Sequence, residues 1–371
     1  MKTLYLHIGT PKTATSSIQV FCLKNRRRFR KYNYCFPLLP LKYPNIPLKR
    51  NAHFLVEASA KCDMISVKKQ EETDSQKQDS FWEKRLSSAL SAIHRQFDRY
   101  DNIILSDENL WRSMSYNQQN PLDILIKDGS EYGYRTKVIV YLRRQDQFLI
   151  SRWNQLVKDE IMRRPFPKHL KRVLSNEPLI ADYAAALGHI AAKIGKDNII
   201  VRRFEASAWV GGSIYSDFTN AAGLTDAANL KLPKKKVNPG LKLNYAEIQR
   251  RINASRQLSE EDKTFLGYFL RKTSAGRSEH EEYGILSEEE TRAFLARFEE
   301  GNQRIAREYF GENGPLFSDE IKCQKKWTPD NAYMEEDLLA YLAALGSAAR
   351  GHGMLKFRCL RLLQKTGPRF L

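Results

Sequence analysis

Apolar positions along this chain follow two spacings, and each predicts a different element. Short, nearly continuous apolar runs occur at Leu4–Ile8, at "NIILSDE" (102–108), at "KVIVYLRR" (137–144) and at "NIIVRRFE" (198–205). Runs of that length, rich in β-branched residues, predict buried strands. Between them the period lengthens. A helix is expected from Thr15 to about Arg30, and another carries Trp82, Leu86, Leu90, Ile93 and Phe97 on one face. A third carries Tyr183, Leu187, Ile190 and Ile194, with Gly195 as its stop. Helices alternating with short strands predict an α/β fold, a central parallel β-sheet flanked by helices. From about residue 240 the pattern is helical. Ser287 with Glu290 forms a capping box opening the helix that carries Phe294, Phe298, Ile305 and Tyr309.

The stretches between these elements set the expected domain organisation. Residues 32–50, rich in Pro, Tyr and Leu, read as an ordered loop, and the polar residues 66–80 as a mobile surface loop. A catalytic domain is expected over 1–320 and a helical, basic extension over 321–371. After Asp337 no acidic residue occurs, while Arg350, Lys356, Arg358, Arg361, Lys365 and Arg369 accumulate. A basic amphipathic segment suits either a membrane surface or packing as a tail helix.

Composition narrows the class. The 371 residues are 42% hydrophobic and 11% aromatic, which excludes a disordered chain, and the formal charge is +18. Such an excess predicts an anionic partner: nucleic acid, an acidic membrane, or a phosphate-bearing cofactor with an acidic substrate. The five cysteines, Cys22, Cys35, Cys62, Cys323 and Cys359, are scattered and form no CxxC pair. Neither a disulfide framework nor a zinc site is expected. With a strand expected within a few residues of Met1, and no apolar run of membrane-spanning length, a cytoplasmic protein is expected.

The first loop, "GTPKTATSSIQ" (9–19), joins a strand to a helix. In parallel α/β folds that place faces ligands, because backbone amides and the positive end of the helix dipole point there. Gly9 permits the turn and Pro11 stiffens it. Thr13, Thr15, Ser16 and Ser17 supply hydroxyls, and Lys12 a mobile cation. The nucleotide-hydrolysing P-loop, G-x-x-x-x-G-K-[ST], puts glycine directly before the lysine. Here Pro11 precedes Lys12, so that pattern fails.

"PKTATSS" resembles the 5′-phosphosulfate loop of sulfotransferases that use 3′-phosphoadenosine 5′-phosphosulfate (PAPS). Arg143 ending a strand, with Ser151 eight positions on, resembles that family's 3′-phosphate element. "VRRFEASAWVGGSIYSDFTNAAGL" (201–224), "VNPGLKLNYAEIQRRIN" (237–253) and "NQRIAREYFG" (302–311) are similar to downstream segments of bacterial carbohydrate sulfotransferases. The resemblance covers roughly residues 1–315. It departs at Ala14, where glycine is usual; alanine serves in a right-handed backbone and poorly at positive φ.

The resemblance implies a P-loop NTPase-like sulfotransferase fold, PAPS as donor with PAP (its desulfated form) as product, and no metal. Lys12 would stabilise the leaving phosphate. The loop from Gly9 through Ser17, Ala14 included, would hold the 5′-phosphate, and Arg143 with Ser151 the 3′-phosphate. A hydroxyl or amine of a carbohydrate or glycolipid would be the acceptor. Glu108, at the end of the "IILSDE" strand, is then the first candidate general base and His53 the second. If Glu108 faces the cleft, Asp107 points to the other side. His7 is read as closing a core strand, Arg26–Arg28 and Arg30 as a solvated helix end, and Lys234–Lys236 as near the cofactor.

Two other classes stay open. A magnesium-dependent P-loop kinase or NTPase would use the Asp-Glu strand end for its metal. A nucleic-acid-binding protein is suggested by charge alone, without recognition motif or aromatic platform, so no nucleic-acid partner is expected.

Overall fold

The structure, a computed structural model, describes residues 1–43, 46–59, 75–116, 120–225, 229–233, 240–318 and 320–349. The expected Lys234–Lys236 contact, the basic stretch from Arg350 onward and most of the expected 66–80 loop lie outside these residues.

Five parallel strands form the central sheet: β1 (Lys2–His7), β2 (Tyr34–Cys35), β3 (Asn102–Ser106), β4 (Tyr134–Leu142) and β5 (Ile199–Arg203). Their order is β2-β3-β1-β4-β5. The α/β class with a helix-flanked parallel sheet is therefore the observed one. β1 is central, pairing with β3 from Thr3↔Asn102 to His7↔Ser106 and with β4 from Lys2↔Tyr134 to His7↔Ile139. Being covered on both faces, the middle strands are apolar at consecutive positions; Val138 to Leu142 are all buried.

Helix α1 (Thr15–Phe29) follows β1. It buries Ile18, Phe21, Cys22 and Phe29 against Tyr5, Ile104, Ile139 and Tyr141, together with Ile214 and Phe218 of α9 (Ile214–Ala221). Leu4, Leu6, Val138 and Val140 alternate to the opposite face. There α5 (Pro121–Tyr132) and α8 (Tyr183–Ile194) pack on β4. Asp182 caps α8 by accepting from Ala185 N at 3.0 Å, and Gly195, at φ 77°, ends it as the sequence predicts. Between these elements lie α2 (residues 53–59), α3 (Ser75–Phe97) and α4 (Leu110–Tyr116).

Parts of two expected loops form regular structure. Residues 75–80, expected within a mobile loop, belong to α3, because Gln and Lys are good helix formers and extend the helix ahead of its apolar stripe. The expected loop 32–50 contains β2, only two residues long. Beyond Cys35 the edge of β3 is completed by a side chain. Asn51 donates from Nδ2 to the Ile104 carbonyl at 3.1 Å and accepts from Ser106 N at 2.8 Å. One amide group thus serves the ladder where the neighbouring strand has ended.

The chain divides into two compact units. The first comprises Met1–Arg144, Pro178–Val237 and Phe298–Asp319, and holds the whole parallel sheet. The second comprises Gln145–Glu177, Asn238–Arg297 and Glu320–Leu371. In the second, α10 (Leu243–Ala254) packs on α6 (Gln145–Lys158), α11 (Glu260–Ala275) and α14 (Met334–Ala349). Buried Asp337 of α14 accepts from Asn244 at 2.9 Å and pairs with His280 at 3.0 Å, fastening that helix. α7 (Phe166–Asn176), α12 (Glu288–Leu295) and a short pair of strands, β6 (Tyr283–Gly284) and β7 (Lys325–Lys326), complete it. The capping box forms as predicted, but its helix tightens into a 3₁₀ turn at Ala296–Phe298 before resuming. α12 ends at Leu295, and α13 (Glu299–Ile305) belongs to the first unit.

Candidate active site

The connections leaving β1 and β4 run to opposite sides of the sheet, to β2 and to β5, and the carboxyl ends at such a switch point are where parallel α/β sheets place ligands. The loop after β1 and Arg143 after β4 both lie at that edge. The β1–β4 ladder continues into the loop: Tyr141 N donates to the Gly9 carbonyl at 2.7 Å, and Thr10 N to the Tyr141 carbonyl at 3.0 Å. The loop root is thereby held as firmly as a strand.

Three loop residues have positive φ: Gly9 at 102°, Lys12 at 70° and Ala14 at 58°. Positive φ alternating with ordinary backbone turns successive amides toward one side, forming a concavity suited to an anion. Gly9 has a further constraint, since a Cβ there would lie 3.0 Å from Pro11 N. Ala14 is the N-cap of α1, and no side chain caps that end. The first helical hydrogen bonds are donated by Ser17 and Ile18 to the Ala14 carbonyl, so the amides of Thr15 and Ser16 precede the helical ladder.

The Ala14 conformation answers the question the sequence raises. Alanine is in the left-handed region, where glycine is relaxed and an L-residue costs about 1–2 kcal/mol. Ala14→Gly is expected to raise the unfolding free energy by about 0.5–1 kcal/mol, once the greater freedom of unfolded glycine is subtracted. Urea unfolding of the two proteins checks this, and a loss of stability would show that the methyl group's packing outweighs its strain.

The loop hydroxyls divide into two groups. Thr13 Oγ1 donates to the Thr10 carbonyl at 2.5 Å, and Thr15 Oγ1 to the same oxygen at 3.4 Å; both residues are buried. They brace the loop from within. Ser16 and Ser17 are half-buried on the first turn of α1. Arg143 reaches the loop directly, donating from its guanidinium to the Lys12 carbonyl at 3.3 Å while lying 5.6 Å from the Phe204 ring centre. Tyr183 holds the Arg143 carbonyl at 2.7 Å. Ser151 lies half-buried on α6 in the second unit.

The third strand end supplies the remaining charge. Glu108 is beside the loop root: the site of a Gly9 Cβ is 3.5 Å from the Glu108 carbonyl oxygen. Burial pushes its carboxyl pKa up, and Asp107 adds to this, while Arg50, Lys12 and Lys49 pull it down. Asp107 points away from solvent entirely, its side chain fully buried. Arg50 grips it with Nε at 3.0 Å and Nη2 at 2.6 Å, His53 Nδ1 lies 3.0 Å from Oδ2, and Asn109 N donates to Oδ1 at 2.9 Å. Burial opposes its ionisation, but hydrogen bonds from His53 and Arg50 hold its pKa below the usual carboxylate range.

Arg50 and Lys49 escape a motif reading. Lys49 Nζ approaches the Ser16 carbonyl at 3.4 Å, bringing a second lysine to the first turn of α1. The only signal was a Lys-Arg pair three positions before His53, inside a stretch read as loop. His7 does close a core strand: its ring is fully buried, with Nδ1 2.9 Å from Ser106 Oγ and burial lowering its pKa to about 3.

No protein-family model matches the chain. An uncharacterized protein of Archaeoglobus fulgidus is 30% identical over 177 residues, 47% of this chain. The chain spans 46%, about half, of that curated relative's length. Among solved structures, a sulfotransferase from Alicyclobacillus acidocaldarius is similar to 64% of this chain, over 87% of its own length. Identity there is 17% and the TM-score 0.37. Among the described residues, no helix is long and apolar enough to cross a membrane.

Proposed function

We propose that this chain is a PAPS-dependent sulfotransferase acting on a hydroxyl or amine of a carbohydrate or glycolipid acceptor. One observation carries the reading. Arg143 and the Lys12 loop, 131 residues apart in sequence, meet through a guanidinium–carbonyl hydrogen bond at the carboxyl edge of β1 and β4. That contact supports reading the two sequence elements as holding one doubly phosphorylated ligand. The residues fit such a group: a concave loop at positive φ, a helix N-terminus, and the cations Lys12, Lys49 and Arg143.

PAPS, when bound, supplies an activated sulfuryl group: the acceptor oxygen bonds to sulfur as the sulfur–phosphate oxygen bond breaks, its electron pair leaving on PAP. The protein's part is positioning and charge stabilisation. In this reading Lys12 offsets negative charge growing on the leaving oxygen. The loop amides and Ser16 and Ser17 hold the 5′-phosphate, with Arg143 on the 3′-phosphate; Ser151 is a ligand of the 3′-phosphate on sequence grounds alone. Glu108 and His53 are the two candidate acceptors for the hydroxyl proton.

The kinase alternative is disfavoured, because Asp107 of its Asp-Glu pair is buried and gripped by Arg50 and His53. A carbohydrate acceptor and membrane contact through the basic C-terminal stretch belong to the proposal on sequence grounds. The test is ligand-dependent stabilisation. PAP at a hundredfold excess over its Kd should add about 2.7 kcal/mol to the unfolding free energy. ATP with magnesium should add less, and PAPS should release PAP with a glycan acceptor. Failure of PAP to shift the melting temperature would sink the proposal.

A further inference from the structure

We propose that Asp107 is a positioning residue for transfer, holding His53 so that its Nε2 receives the proton of the attacking hydroxyl. This rests on the sulfotransferase reading above and assigns the base within it.

The geometry determines which imidazole nitrogen is available. An ionised carboxylate only accepts hydrogen bonds, so the 3.0 Å contact from His53 Nδ1 to Asp107 Oδ2 places the imidazole proton on Nδ1. The lone pair is then on Nε2. Arg50 keeps Asp107 ionised in a fully buried position by donating to both of its oxygens. The His53 ring is also confined from the side, with the Tyr43 ring edge-on at 4.8 Å between centres.

This assembly is fixed to the strand edge that carries the loop. Asp107 N donates to the His7 carbonyl at 3.1 Å, and the next residue, Glu108, is the one against Gly9. Ala52, adjacent to His53, has its N–H directed at the Ser106 carbonyl at 3.4 Å. When Nε2 takes a proton, the imidazolium forms beside a carboxylate already in place, which stabilises it without rearrangement. The hydroxyl proton ends on Nε2, and the acceptor oxygen keeps the electron pair it uses for bonding.

Glu108 has different surroundings. Lys12, Lys49 and Arg50 are its cationic neighbours. A carboxylate set among three cations is suited to balancing the charge of Lys12, and in this assignment that is its role.

The test combines a structural readout with kinetics. In [¹⁵N]histidine NMR of the PAP-bound protein, neutral His53 should be protonated at Nδ1, and Asp107→Asn should shift the population toward the Nε2–H form. An Nε2–H tautomer in the unaltered protein would overturn the proposal. Turnover is followed as PAP release from PAPS, with 4-nitrophenyl glycosides as acceptors, or with water if none is used. His53→Ala and Asp107→Asn should each lower kcat by roughly 10²–10⁴-fold. The double variant should be no slower than His53→Ala, since the two act as one unit.

Glu108→Gln should cost less than about tenfold, and imidazole should restore part of the His53→Ala rate. That rescue also serves if Asp107→Asn fails to fold, because His53→Ala leaves the Asp107–Arg50 pair intact. A loss concentrated in Glu108→Gln, or no rescue by imidazole, would overturn the assignment to His53. The transfer reading would survive either result if PAP still binds; absence of PAP binding in every variant would remove both.

Discussion

Lys12→Ala is expected to lower sulfuryl transfer by roughly 10²–10³-fold, the loss typical when one preorganised charge-stabilising donor is removed from a reacting oxygen. The fold should persist. Position 12 is half-buried at φ 70°, and alanine keeps a Cβ there, so backbone strain is unchanged. The hydrogen bond from Arg143 ends on the Lys12 carbonyl, which the substitution retains. PAP affinity should therefore fall much less than kcat. Initial rates of PAP release, with melting temperature as the folding control, check this. Turnover at the original rate would mean that the leaving group is not at Lys12.

His7 should make the protein acid-sensitive well above the carboxylate range. Its ring is fully buried between β3 and α9, 5.3 Å from the Phe218 ring, and burial lowers its pKa from 6.5 to about 3. Unfolded chains bind a proton at this residue below pH 6.5, while the folded protein does not until about pH 3. Stability contributed by neutral His7 is thus present above pH 6.5 and lost as pH falls through that window. The slope is about 1.4 kcal/mol per pH unit, which approaches 4–5 kcal/mol at the acid end. Buried His169 in the second unit, lowered to about 4, has a similar direction, so a difference measurement is needed. Urea unfolding of the unaltered protein and His7→Asn at several pH values supplies it. The stability difference between the two should shrink on acidification. A constant difference would show that His7 titrates alike in both states.

The legible part of this protein is local. β1, β3, β4 and β5 are visible as apolar runs because a strand covered on both faces needs no polar alternation. α8 was legible to its last residue, since Gly195 supplies a positive φ that few other residues tolerate. β2 was not legible: two paired residues have no periodicity, and Asn51, some sixteen positions later, finishes their work. The helix after Ser287 shows the converse. Its cap was readable, but its interruption falls where the chain passes from one unit to the other.

The candidate site divides in the same way. The loop residues, Arg143 and Ser151 are candidates through the resemblance of two short motifs, each a run of near neighbours in the sequence. Arg50 and Lys49 could not, and neither could the bond between Asp107 and His53 across 54 positions. Such partners are chosen by burial. A carboxylate fully removed from water requires a cation and donors wherever the chain can bring them, and sequence distance has no bearing on which it finds.

By itself, the sequence determined the α/β class, the strand–loop–helix that presents Lys12, and the separate strand ending at Arg143, all set by short-range periodicity and turn chemistry. Only the tertiary structure decided that Arg143 closes on the Lys12 loop, that Ala14 has a left-handed backbone, and that Asp107 is committed to Arg50 and His53. The reason is physical: those outcomes depend on which strand ends share an edge of the sheet and which polar groups that edge shuts off from water.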